Sequence, residues 1–234
     1  MNDLERYSRE SAGRLIYKWD HYFEIYDRHL SRFRNRSVNV VEIGVFKGGS
    51  LKMWKDYFGP EAHIWGIDID PACRAFAEDG IDILIGDQAA RDFLASVREA
   101  IPVMDVLIDD GGHTMEQQIA TFEELYPHIS PDGVFLCEDL HTSYWEEYGG
   151  GYRETRSFIE RTKHLIDELN AWHARPPKRT RLGRRAPELV VSEFTRSTDS
   201  LHYYDSLLVI EKRRRSRPED VMFGGDGSDP FGDP

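Results

Sequence analysis

The chain has 234 residues, is 40% hydrophobic, and carries a formal net charge of -12 from 30 basic against 42 acidic side chains. That length suits one doubly wound α/β domain with a single sizeable core. The acidic balance argues against nucleic acid or an anionic membrane as the main partner, because either would need a dominant basic face, and leaves a small molecule as the expected one. The two cysteines, Cys73 and Cys137, form neither a disulfide framework nor a paired metal clip. The opening residues MNDLERYSRE are too polar for a secretory signal, and no apolar run nears the roughly 20 residues of a membrane span. A soluble, cytoplasmic protein is therefore expected.

In chain order, residues 1–37 read as an N-terminal helical segment: from Glu5 to Phe33, Tyr17, Tyr22, Ile25, Tyr26 and Leu30 recur at helical spacing, which predicts a helix or helix pair packed on a sheet. Short apolar runs follow (VNVVEIGV, HIWGIDI, IDILIG, DVLIDD and GVFLCED), each ending at Gly or Asp, as buried parallel strands do. Amphipathic stretches at Ser50 to Phe58, Ala72 to Asp79, Ala89 to Glu99 and Thr114 to Tyr126 separate them. The alternation predicts a Rossmann-like, doubly wound, mostly parallel sheet within a main domain spanning 38–215. An insert at 141–186 interrupts it with a polar loop, a helix from about Glu154 to Trp172, and a basic run from Arg175 to Arg185. The stretches PELVVSEFTRS and LHYYDSLLVIEKR read as an antiparallel C-terminal strand pair separated by Thr198, Asp199 and Ser200. Residues 216–234 are Gly, Asp and Pro with little to bury, so disorder is expected there.

The turn after the first strand, VVEIGVFKGGS, places Glu42, Gly44, Gly48 and Ser50 at the head of a helix. Glycine there permits positive φ and close approach of the backbone to a ligand. Phe46 stands where a dinucleotide fingerprint has its middle glycine, which disfavours a pyrophosphate cradle. Asp68 ends the next run in position for a ribose diol, and Asp87 and Gln88 end the third, where they could meet an adenine edge. Read singly, each of these is equally ordinary turn chemistry.

The stretch DVLIDDGGHTMEQQ puts Asp109, Asp110 and His113 at the end of the fourth run, and CEDLHTSYW puts Glu138 and Asp139 at the end of the fifth. Converging carboxylates repel unless they are protonated or share a cation. An oxygen-only set of Asp110, Glu138 and Asp139 suits a hard ion such as Mg2+, and His113 could take the proton from a metal-bound hydroxyl. Each segment alone is also explained by a turn, a helix cap or solvated acids. Together on neighbouring strand ends they favour a site.

The combination of VEIGVFKGGSL, GIDIDP, GDQ, IDDGGH, CEDLHTSYW and LHYYDSLLVIEK resembles the class I S-adenosylmethionine-dependent methyltransferases. Within them it is most similar to the magnesium-dependent sugar O-methyltransferases of macrolide biosynthesis, over about Val38 to Lys212. The resemblance implies S-adenosyl-L-methionine and Mg2+ as cofactors and a glycosylated or polyol hydroxyl as acceptor. It implies Glu42, Gly44, Gly48, Ser50, Asp68, Asp87, Gln88 and Asp109 around the cofactor, Asp110, Glu138 and Asp139 on the metal, and His113 as the base with Asp110 beside it. Tyr144, Trp145, Tyr148 and Tyr152 in the insert suggest a stacking wall for the acceptor, and plain packing explains aromatics at that spacing as well. Lys18, Trp19, His21 and Tyr22 would fold over the cofactor, as N-terminal helices do in related enzymes, though core packing accounts equally for Trp19 and Tyr22. Residues 1–37 are much shorter than the N-terminal domain of the mycinamicin type, so neither oligomeric state nor acceptor carries over, and a homo-oligomer is left open. Two rival readings are a catalytically silent cofactor-binding scaffold and an oxidoreductase like the cephalosporin 7α-hydroxylases.

Overall fold

The computed structural model describes residues 1–175, 190–221 and 223. Its parallel strands are β1 (Asn39–Ile43), β2 (His63–Asp68), β3 (Ile81–Ile85), β4 (Met104–Asp109) and β5 (Ile129–Cys137); β6 (Thr198–Tyr204) and β7 (Leu207–Lys212) form an antiparallel hairpin. They make one sheet in the order β3-β2-β1-β4-β5-β7-β6. The order reverses between β1 and β4, which opens a crevice at their carboxyl ends.

Side chains alternate across this sheet, so each strand feeds two cores. Val40, Ile64, Val106, Val134 and Val209 face the N-terminal helices α1 (Asp3–Glu10) and α2 (Tyr22–Leu30) together with α3 (Gly49–Phe58). Val41, Ile43, Leu107, Phe135 and Leu208 face α4 (Arg91–Ala100) and α5 (Met115–Leu125). Gly66 in β2 lets α3 come close: a Cβ there would lie 2.7 Å from Val45 Cγ2 and 2.9 Å from Leu51 Cδ1. Among the described residues no helix is long and apolar enough to cross a membrane.

The expected mostly parallel sheet with its antiparallel C-terminal pair is present, but three local expectations are corrected. Ala72 to Asp79 is not an α-helix; a 3-10 turn spans Pro71–Phe76, opened by the Asp70 carboxylate accepting from Ala72 N at 2.9 Å and closed by an extended Ala77. PELVVSEFTRS is not a strand within the described residues: Ser192 caps a short helix, α8 (Glu193–Ser197). The hairpin instead turns at Asp205 and Ser206, where Ser206 accepts φ 62°. The helix expected from Glu154 to Trp172 is broken into α6 (Phe158–Lys163), α7 (Leu165–Leu169) and a 3-10 turn at Ala171–His173. The basic run beyond Arg175, and the tail beyond Val221 apart from Phe223, lie outside the described residues.

Helix α2 ends the segment that crosses the crevice, and its packing fixes where that segment can lie. Tyr22, Tyr26 and Leu30 are fully buried, with the Tyr26 ring edge-on to Trp54. At the far end His29 Nδ1 donates to Glu211 Oε1 at 2.6 Å, and Arg32 donates to Glu211 Oε2 at 2.7 Å, which ties the helix to β7. The His29 hydrogen bond, helped by Arg32, holds the Glu211 carboxyl down to about 2, against an ordinary 4.5. The folded carboxyl therefore binds its proton less tightly than the unfolded one. Its contribution is complete above about pH 4.5 and is lost as pH falls toward 2. Glu211→Gln should remove roughly 1–3 kcal/mol of stability at neutral pH and flatten this acid limb. Urea denaturation of both proteins at stepped pH checks it; parallel acid limbs would show that the tie contributes nothing.

Candidate active site

Backbone hydrogen bonding continues past the strand ends and draws the loops together. Gly44 N donates to Ile67 O at 2.8 Å, Asp110 N to Ile43 O at 2.9 Å, and Glu138 N to Asp109 O at 2.9 Å. Glu42, Asp110, Glu138 and Asp139 thus gather beside the β1/β4 reversal. Gly44 makes this approach possible. It adopts φ 98°, and a Cβ would fall 1.9 Å from the Asp110 carbonyl oxygen. Phe46, His113 and Asp139 also take positive φ, at 49°, 58° and 54°. Left-handed residues other than glycine cost energy and tend to collect at functional loops.

Two clefts share this wall. The first, about 390 Å3, is lined by Gly44, Asp68, Asp87, Gln88, Asp110 and Gly111 among others. Asp68 Oδ2 accepts from Val45 N at 2.9 Å and Phe46 N at 3.0 Å, so the carboxylate also holds the glycine turn in shape. Gln88 is buried and clamps the acid loop: Nε2 donates to Asp109 Oδ1 at 2.6 Å, and Oε1 accepts from Gly112 N at 3.1 Å. Asp109 is fully buried and lines neither cleft. Burial pushes its carboxyl up to about 7. Gly48 caps α3 at φ 69°, and the Ser50 hydroxyl donates to Glu42 Oε2 at 2.6 Å, so Glu42 and Ser50 stand behind the cleft as a pair.

The second cleft, about 490 Å3, is lined by Tyr17, Lys18, Trp19, Gly44, Phe46, Asp110, Gly111, His113, Glu138 and Asp139. His113 Nε2 lies 3.5 Å from Asp139 Oδ2 and 3.9 Å from Asp110 Oδ1. Asp110, His113 and Asp139 can each offer a ligand atom within 4.8 Å of the others. The Thr142 hydroxyl ties the two acid loops, within 3.0 Å of His113 O and 2.8 Å of Asp139 O. Burial lowers the His113 pKa below its ordinary value, which favours a neutral ring, and among the described residues its buried Nδ1 has no partner.

A cation already stands in this cluster. Lys18 Nζ donates to Asp110 Oδ2 at 2.6 Å, Glu138 Oε1 at 2.9 Å and Glu42 Oε1 at 3.1 Å. Burial alone would lower the Lys18 pKa, but the Asp110, Glu138 and Glu42 charges outweigh it and raise it well above the ordinary value. One ammonium does not balance four carboxylates. Burial still pushes Asp110 up to about 7 and Glu138 well above the usual range. A further hard cation fits such a donor set.

Sequence reasoning and structure agree on bringing Asp110, His113, Glu138 and Asp139 together. They differ on the acceptor wall. Tyr144, Trp145, Tyr148 and Tyr152 line neither cleft, because the chain after β5 runs into 3-10 turns at Leu140–Tyr144 and Glu146–Tyr148 that carry these rings elsewhere. Tyr152 is largely in solvent, stacked near Tyr144. Tyr17, Trp19 and Phe46 line the second cleft instead. Of these, Phe46 stood out in the sequence as a departure from the dinucleotide fingerprint, and Trp19 as part of a segment expected to fold over the cofactor.

The strand order, the glycine turn after β1 and the acid loops after β4 and β5 define a class I methyltransferase fold. Residues 41–140 match the model of a family described as a methyltransferase domain. The chain is 36% identical over 203 residues to the 8-demethyl-8-alpha-L-rhamnosyl tetracenomycin-C 2'-O-methyltransferase of Streptomyces olivaceus, covering 83% of this chain and 51% of that protein. It is 34% identical over 199 residues to the mycinamicin VI 2''-O-methyltransferase of Micromonospora griseorubida, covering 81% of this chain and 47% of that one. A solved structure of the mycinamycin-pathway methyltransferase MycE, in complex with Mg, SAH and mycinamycin VI, superposes with a TM-score of 0.78 at 29% identity, over 91% of this chain and 54% of that one. The chain thus carries a methyltransferase domain over residues 41–140 and is similar to sugar O-methyltransferases of antibiotic biosynthesis. It spans about half the length of the relatives it matches.

Gly44→Ala tests the shared wall. The substitution should cost roughly 1–3 kcal/mol, from positive φ and the clash with the Asp110 carbonyl. A chemical denaturation midpoint equal to that of the parent protein would mean that the two loops do not need this approach.

Proposed function

We propose that the protein is an S-adenosylmethionine- and divalent-metal-dependent O-methyltransferase that methylates a hydroxyl of a sugar-bearing small molecule. The observation that carries the reading is the convergence of Asp110, His113 and Asp139 at adjacent strand ends, beside a cleft lined by the glycine turn. The relatives' methyl-transfer chemistry and the Mg and SAH bound by MycE support it. Two buried, unpaired cysteines, Cys73 and Cys137, are consistent with a cytoplasmic location.

In this reading Asp68, Asp87 and Gln88 hold the nucleoside end of the cofactor, with Gly44 giving backbone access to its methionine end and Glu42 and Ser50 bracing the turn from behind. Asp110, Glu138 and Asp139 hold Mg2+. When bound, the two groups supply a methyl on a sulfonium sulfur and a positive charge that makes a neighbouring hydroxyl more acidic. His113 Nε2 accepts the hydroxyl proton; the neutral ring that burial favours is the form able to do so. Asp110 and Asp139, each with an oxygen within 4 Å of Nε2, stabilise the resulting imidazolium. Tyr17, Trp19 and Phe46 offer ring faces to the acceptor, which suits the apolar face of a sugar or an aglycone.

His113→Ala should leave the affinity for S-adenosylhomocysteine unchanged while kcat falls by roughly 100-fold or more. Calorimetric titration of S-adenosylhomocysteine, with Mg2+ and with chelator, checks the first half, and turnover of a panel of rhamnosylated and other glycosylated acceptors checks the second. Failure of the parent protein to bind S-adenosylhomocysteine under either condition would overturn the cofactor assignment. Undiminished turnover in His113→Ala would remove the base.

A further inference from the structure

Residues 11–21 form a strap between α1 and α2 that crosses the N-terminus of α3 and the second cleft. Gly49 makes room for it, since a Cβ there would lie 2.2 Å from Leu15 O. Arg14 fastens its start, donating to Phe76 O at 3.2 Å with the guanidinium over the Phe76 ring. The burial along the strap is uneven in an informative way. Tyr17 and Trp19 are 85% and 53% exposed, whereas the Lys18 side chain between them is 2% exposed. A lysine buried between two solvent-facing aromatic residues is held by its charge and not by apolar packing.

The oxygens are divided. Lys18 takes Asp110 Oδ2 and Glu138 Oε1, and Trp19 Nε1 and Tyr22 OH both donate to Asp139 Oδ1, at 3.1 and 3.0 Å. Asp110 Oδ1 and Asp139 Oδ2, the atoms that face His113, stay free of the strap. Lys18 is also the cation paired with Glu42, which is fully buried and whose side chain, among the described residues, otherwise hydrogen-bonds only to the Ser50 hydroxyl. Withdrawing the ammonium would leave that charge without a partner, and a stranded buried charge is among the costliest single changes in a protein. Charge counting agrees. With all four carboxyls of Glu42, Asp110, Glu138 and Asp139 ionised, as metal binding requires of the ligands, one ammonium leaves three negative charges, and a divalent ion added to it leaves one.

We propose that Lys18 is a permanent second cation of the site, bound together with the metal and not in competition with it. This rests on the metal-dependent function proposed for the site. Lys18 is a positioning residue: it neutralises Glu42 on the cofactor side and turns Asp110 and Glu138 on the metal side. By the same contacts it docks the strap, so that Tyr17 and Trp19 wall the acceptor cleft. Occupation of the acid cluster and closure of the acceptor wall are thereby joined through one side chain.

The test combines a rescue with a strap readout. Lys18→Met should lower the denaturation midpoint and raise the rate of tryptic cleavage after Arg14 by at least about tenfold, since the strap loses its anchor. Adding Glu42→Gln should restore most of the midpoint by removing the stranded charge, and should leave the strap open. A midpoint that Glu42→Gln does not recover would show that Lys18 acts by packing, and would overturn the assignment. In the parent protein, titration with Mn2+ should leave cleavage after Arg14 unchanged or slower; faster cleavage on metal binding would mean that the ion displaces Lys18, and would also overturn it. This arm stands even if Lys18→Met does not fold. If calorimetry shows no Mn2+ binding to the parent protein, the metal reading falls, while the Glu42 rescue still decides whether Lys18 is the fixed cation of the cluster.

Discussion

An ammonium buried among three carboxylates is the contact on which the rest of this structure depends. Glu42, Asp110 and Glu138 come from three different strand ends, and held so close in their ionised form they repel unless positive charge stands between them. Lys18 supplies it from the middle of a strap whose start is fastened by Arg14. The dependence runs both ways, because the acids keep a lysine protonated in a place from which burial alone would exclude it. Helix α2 then fixes the strap's far end through the fully buried Tyr22 and Tyr26 and through its tie to Glu211.

The sheet explains why acids meet here at all. In a parallel sheet every strand delivers its following loop to the same edge, and the reversal of order between β1 and β4 parts the helices above that edge. β4 lies between β1 and β5, so the loop carrying Asp110 and His113 has the glycine turn on one side and Glu138 and Asp139 on the other. One loop therefore forms a wall of both clefts. The arrangement is paid for in backbone strain, with positive φ at Phe46, His113 and Asp139, and it is stiffened by Gln88 and Thr142.

Much of this was legible from local chemistry. Runs of β-branched residues ending in Gly or Asp located the five parallel strands, because a strand buried on both faces leaves few alternatives for such a pattern. The acids and His113 came with them, since each lies within two residues of a strand end or on the short loop beyond it. What was not legible depended on distant partners. Nothing near Lys18 in the sequence announces that its ammonium reaches Asp110, 92 positions away, and Glu138, 120 positions away. The aromatic residues of the insert had the right composition for a stacking wall, but 3-10 turns after Asp139 direct them elsewhere, and turn geometry of that kind is set by tertiary context. PELVVSEFTRS failed for the opposite reason. A capping serine at Ser192 outweighed a weak alternation of apolar residues.

The same division of labour bears on how a site of this kind separates binding from chemistry. The carboxylate oxygens that contact Lys18, Trp19 and Tyr22 build the site, while Asp110 Oδ1, Asp139 Oδ2 and His113 Nε2 remain for whatever enters. A carboxylate with one oxygen fixed by the protein cannot turn freely, so its second oxygen is presented in a defined direction before any ligand arrives. In the function proposed above, preorganisation of this sort lowers the cost of assembling a reacting hydroxyl, a base and a cation in one place. It also makes the outer contacts as consequential as the inner ones, because loosening Lys18 would let Asp110 and Glu138 rotate and remove at once the charge balance, the ligand directions and the aromatic wall.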